Sequence, residues 1–191
     1  MIENVKQQKL AKAKKMMLLF GLLSITMTFA GLTSAYIVSK GRPDWTMDFN
    51  LPSEFFYSTF IIVLSSLTLL ISKRKLTSGK SINSVFNWTL ATFILGLIFI
   101  VFQFIGFNNI IDQGYYFAGA QSAIKTSFIY VLSFLHIVHL VAGLIVLSVI
   151  MVNIKKGKYV KNNLGFNLGS NFWHYLDFLW LYLFSFFYFF G

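Results

Sequence analysis

Leu90–Phe107 reads LATFILGLIFIVFQFIGF, eighteen residues without a charge. The run has no strict two-residue alternation, so it fits a helix buried in hydrocarbon rather than a strand of a transmembrane barrel. A bilayer core takes about 20 apolar residues in helical form. Working outward, five stretches meet that requirement: residues 16–38, 51–71, 85–107, 127–152 and 172–190. The second is the weakest, because its firmly apolar part starts only after Glu54. The fold class expected is all-α, a polytopic membrane protein with one domain over residues 1–191. It is a bundle of five transmembrane helices.

Composition agrees. Of 191 residues, 57% are apolar and 12% charged, against about 25% charged in a soluble domain. An ordinary globule, a disordered tail and a disulfide scaffold are excluded. There is no Cys, so no thiol nucleophile, iron–sulfur ligation or thiolate copper site.

The formal charge of +10 is an address rather than a ligand site. Lys6, Lys9, Lys12, Lys14 and Lys15 precede the first span. Lys73, Arg74, Lys75 and Lys80 follow the second, and Lys155, Lys156, Lys158 and Lys161 follow the fourth. Between the first two spans, Lys40 and Arg42 are balanced by Asp44 and Asp48. The connection before the fourth span holds only Asp112 and Lys125. Thirteen of sixteen cations thus lie in alternate segments, which the positive-inside rule reads as N-terminus in, C-terminal Gly191 outside. Nucleic acid is not an expected partner, since such a surface concentrates its cations and interleaves them with aromatics. The first apolar run exceeds a signal-peptide core of roughly 7–15 residues, so it reads as a retained span.

Polar residues inside spans normally face the bundle interior. Ser24, Thr28, Gly31 and Ala35 form one small-residue face of the first helix, suited to close helix approach. Ser58, Ser65 and Ser72 recur every seven residues in the second. In the fourth, Ser133, His136 and Gly143 share a face, with His139 and Ala142 beside it. In the fifth, His174, Asp177, Ser185 and Tyr188 share a stripe. His136 and His139 project from one side of one helix and cannot clamp a heme iron, which takes imidazoles from opposite sides. Asp177 is the one carboxylate well inside a span, about a turn and a half from its cytoplasmic end. His174, one turn earlier, is placed to pair with it. Bracing is the favoured reading of that pair, with lipid-headgroup or proton binding as the other.

Four stretches, in order, carry a resemblance. FAGLTSAYIVSKGRPDW (Phe29–Trp45) has a Phe-Ala-Gly to Ala-Tyr pattern, and LPSEFFYSTFIIVLSSLTL (Leu51–Leu69) has Ser-Thr followed by Ser-Ser-x-Thr. SFIYVLSFLHIVHLVAGLIVL (Ser127–Leu147) has Tyr, Leu-His-x-x-His and a Gly-Leu turn. WHYLDFLWLYLFSFFYFFG (Trp173–Gly191) has Trp-His-x-x-Asp-x-x-Trp and an aromatic run. Together they resemble subunit III of heme-copper oxidases, in a short bacterial form equivalent to the last five of seven helices in longer members. The longer members carry a glutamate where Ile25 stands here, so any role of that carboxylate does not transfer.

The resemblance implies an accessory role in a cytochrome c oxidase of the bacterial inner membrane, with no catalytic residue and no cofactor in this chain. Heme and copper are expected in partner subunits I and II. Bound phospholipid, membrane lipids and a larger respiratory supercomplex are further expected partners. Structural or lipid-contact candidates are Glu54, His136, His139, Trp173, His174 and Asp177. A quinol oxidase subunit III fits equally in fold. A small transporter is the alternative from another class, although the internal repeats and broken helices common there are not evident.

Overall fold

The computed structural model describes residues 2–42, 45, 51–79, 81–117, 123–160 and 163–190. Lys80, Lys161, Asp44, Asp48 and Gly191, which entered the charge reading, lie outside them. Five helices account for nearly all of the described chain: α1 Ile2–Ser39, α2 Glu54–Thr77, α3 Ile82–Asp112, α4 Ile124–Lys155 and α5 Leu164–Phe190. A short 3-10 turn, Lys158–Val160, precedes α5.

Each helix extends past the apolar stretch that announced it, because hydropathy marks only the part in hydrocarbon. At 1.5 Å per residue, α1 is about 57 Å long against a core of about 30 Å, so its lysine-rich start projects beyond. α5 begins eight residues before position 172. Its first turns, LGFNLGSN, contain two Gly and two Asn, poor helix formers that tertiary contact holds in place. α2, α3 and α4 stop where Gly79, Gly114 and Gly157 take φ of 66°, 87° and 66°, one residue after each C-cap. An L side chain there would be strained.

α2, α3, α4 and α5 pack in a ring, each antiparallel to the next, and α5 closes back on α2. α1 lies outside this four-helix ring, against α4 and α5. The core is aromatic: Trp173, Trp180, Phe55 and Phe99 are fully buried. Trp180 meets Phe99 edge-on at 5.0 Å between centroids and stacks on Phe55 at 6.0 Å. Close approach at the α3–α4–α5 junction needs glycine. A Cβ on Gly96 would fall 2.7 Å from the Trp173 ring.

Four helices, over Val5–Ser39, Glu54–Thr77, Ile82–Asp112 and Ile124–Lys155, are long and apolar enough to cross a membrane. α5 is long enough but is not among them, which departs from the five spans expected. His174, Asp177 and its tryptophans and tyrosines lower its hydropathy. Much of that polarity is turned inward or is amphipathic, since Asp177, Trp173 and Trp180 are buried.

The small-residue face of α1 does not do what its spacing suggests. Ser24, Thr28, Gly31 and Ala35 are all exposed, and nothing lies within 4 Å of a Cβ built on Gly31. α1 instead buries Phe29, Thr33 and Tyr36, with Ile25 and Leu32 partly covered. Large aromatic side chains on α4 and α5 select that richer apolar face. The stripe on α5 is also divided: Asp177 is buried and His174 half-buried, while Ser185 and Tyr188 are exposed. The core follows Trp173, Leu176, Trp180, Leu183 and Phe187 instead.

Candidate functional site

The seven-residue recurrence on α2 places Ser58, Ser65 and Ser72 on its inner face, all fully buried. With Thr59, Ser66 and Thr68 they form a hydroxyl column against α3 and α5. Trp173 Nε1 donates to Ser65 Oγ at 3.0 Å, and Trp180 Nε1 to Thr59 Oγ1 at 2.9 Å. Ser66 Oγ lies 2.7 Å from His174 Nδ1. Towards α3, Gln103 Nε2 donates to Ser58 at 2.8 Å, Thr68 meets Thr92 at 2.9 Å, and Ser72 meets Thr89 at 2.8 Å. Hydroxyls suit this work because they also bond their own helix carbonyls, as Thr59 and Thr68 do.

His174 and Asp177 are brought near, but not into a hydrogen bond: Nδ1 and Oδ2 are 3.9 Å apart. The first partner of His174 is Ser66. Asp177 lies thirteen residues into α5, about 20 Å along its axis from the start of the helix. His139 and His136 separate. His139 Nδ1 bonds its own helix at Leu135 O, 2.7 Å away, and its ring meets Phe29 of α1 edge-on. His136 is fully buried against Phe99 and Trp180. Glu54 is half-buried in the first turn of α2, where a carboxylate meets the positive end of the helix dipole.

No group of three or more His, Cys, Asp or Glu converges in metal-holding geometry among the described residues. The three His occupy three different environments, one committed to its own helix and one to Ser66, which does not fit a heme pair or a copper site.

A second seam escaped the sequence reading. Thr26 meets the Tyr175 hydroxyl at 2.7 Å and Thr33 meets that of Tyr182 at 2.9 Å. Tyr36 donates to Phe190 O at 3.1 Å. Both Thr–Tyr pairs have the same offset, so α1 and α5 run parallel with a seven-residue register. The shared spacing of Thr26/Thr33 and Tyr175/Tyr182 was the available signal.

The cytochrome c oxidase subunit III family model matches residues 6–191. The chain belongs to that family. Its relatives serve both donor types by name. A cytochrome bo(3) ubiquinol oxidase subunit 3 of Pseudomonas aeruginosa is 32% identical, over 86% of this chain and 78% of the relative. A quinol oxidase subunit 3 of Bacillus subtilis is 28% identical, over 82% and 77%. A cytochrome c oxidase subunit 3 of Bacillus sp. strain PS3 is 28% identical, over 84% and 77%. For this subunit III member, the geometry explains why two separated motifs occur together. The Ser-Thr and Ser-Ser pattern of α2 and the Trp-His-x-x-Asp-x-x-Trp pattern of α5 are the two faces of one antiparallel seam.

Proposed function

We propose that this subunit III is the accessory, non-redox subunit of a bacterial heme-copper terminal oxidase. It packs against catalytic subunits I and II in the inner membrane, supports assembly, retains phospholipid and sustains proton uptake by its neighbour. All five helices cross, with the lysine-rich ends of α1, α2 and α4 cytoplasmic and the end of α5 outside. α5 crosses because its polar groups are covered by α2, α3 and α4 and its outer surface is aromatic. Hemes and copper belong to the partner subunits. The site residues act as braces: Trp173, His174 and Asp177 hold α5 against α2, while His136 and His139 hold α4 to its neighbours.

The observation carrying this reading is the outer face of α1. Ser24, Thr28, Gly31 and Ala35 line up at steps of four, three and four and are all exposed among the described residues, with open space around Gly31, the pattern that lets another membrane helix approach closely. Such a surface fits a subunit of a larger assembly, and a transporter acting alone has no use for it. A second reading, subunit III of a quinol oxidase, is favoured by the identity to the ubiquinol and quinol oxidase relatives.

Affinity purification of the tagged chain from its own membranes tests both. Heme-containing partners and oxygen consumption are expected to co-purify. Reduced cytochrome c and a short-chain quinol, supplied separately, then distinguish the donors. A chain that purifies without any heme protein sinks the reading.

A further inference from the structure

The polar side chains of the core that lack a hydrogen bond include a group on two adjacent helices. Gln103 on α3 and Ser133 and His136 on α4 are 1%, 0% and 0% exposed. Ser58 Oγ gives its proton to Phe55 O at 3.0 Å and accepts from Gln103 Nε2, which fixes the orientation of the amide. Gln103 Oε1, Ser133 Oγ and both ring nitrogens of His136 have no partner among the described residues.

Helix register brings them together. One turn towards the Asp112 end of α3, the Tyr130 hydroxyl of α4 reaches Phe107 O at 3.3 Å. One turn the other way, the Phe99 and His136 rings meet at 6.0 Å between centroids. Gln103 and Ser133 therefore lie at the same depth, between those two contacts, with His136 one turn from Ser133. Nearby donors are committed elsewhere, Trp180 Nε1 to Thr59 and the Tyr130 hydroxyl to Phe107 and Tyr115. His136 also leaves its own helix carbonyls alone, unlike His139.

The chemistry of the four atoms selects one ligand. A neutral imidazole offers one N–H and one lone pair. With it, the group presents two donors, Ser133 O–H and one His136 N–H, and acceptors at Gln103 Oε1, Ser133 Oγ and the other His136 nitrogen. A cation would satisfy only the acceptors and an anion only the donors. Water, with two of each, complements both.

We propose that one or two water molecules are bound between α3 and α4, bridging Gln103, Ser133 and His136. Through Ser58 the bridge extends to α2, so one hydration site ties three helices. Buried waters making about three hydrogen bonds to otherwise unpaired groups are a normal part of protein structure.

X-ray hydroxyl-radical footprinting of the full chain in lipid nanodiscs tests this, because radicals form at bound water and oxidise the side chains beside it. Oxidation is expected at Phe99, His136 and Trp180. In the triple variant Gln103→Leu, Ser133→Ala, His136→Phe, it should fall to background at Phe99 and Trp180. Wild-type labelling of these two residues no greater than in the variant overturns the proposal. If the triple variant fails to fold, Ser133→Ala decides by the sign of its effect. Loss of a water partner lowers Tm, by about 2–4 °C. An unchanged or raised Tm, the result of deleting a hydroxyl that bonded nothing, overturns it.

Discussion

Gly96 and Gly31 are both glycines within long helices, and their surroundings are opposite. At Gly96 a Cβ would fall 2.7 Å from the Trp173 ring and 3.0 Å from Leu144, and the indole is held by its bond to Ser65. Overpacking a well-filled core costs about 1–3 kcal/mol. Gly96→Ala is therefore expected to lower the Tm of the purified chain despite alanine's better helix propensity. At Gly31 a Cβ meets nothing, so Gly31→Ala should raise stability by about 0.5–1 kcal/mol in the isolated chain. Trp173→Phe keeps the aromatic volume but removes the N–H donor to buried Ser65. The loss should be about 1–3 kcal/mol, read as a lower Tm in detergent.

Helix pairs explain which parts of the sequence reading held. The seven-residue serine recurrence of α2 survived because that face meets two helices, and Gln103, Trp173 and Thr89 supply hydrogen-bond partners for Ser58, Ser65 and Ser72. The Ser24–Ala35 stripe of α1 was legible as a face, but not where the face points. That depends on Phe29, Thr33 and Tyr36 finding better partners on α4 and α5. The true start of α5 was hidden because Gly165, Asn167, Gly169 and Asn171 carry no helical signal of their own. Gly169 is required there by tertiary contact, since a Cβ would fall 2.5 Å from Ile150. The Thr–Tyr seam was missed because each pair is unremarkable alone and significant only in shared register. Interhelical hydrogen bonds in membranes are worth about 0.6 kcal/mol on average. Replacing Tyr175 and Tyr182 together by Phe should therefore loosen α1 alone. Faster amide exchange in Leu22–Tyr36, with α2 to α5 unchanged, is the expected outcome.

For the whole molecule, the all-helical architecture and the family were readable because the length of apolar runs and the order of motifs are one-dimensional properties. The arrangement of braces was not, because it depends on which faces meet. If the α1 face docks a neighbouring subunit, Gly31→Leu should leave the chain folded but markedly reduce the heme protein that co-purifies with it. Asp177→Ala acts from within. It should reduce assembly or retained lipid more than it alters the heme spectrum of the complex that does form. An assembled mutant complex with shifted heme bands would contradict that role.

The most direct measurement follows the metals. The tagged complex is purified in mild detergent, this subunit is dissociated from it, and iron, copper and the heme absorbance are measured in each fraction. The account predicts that all three remain with the other polypeptides, and that the released chain is colourless and metal-free. Iron or copper retained on the released chain, removable by substituting His136, His139 or His174, would contradict it.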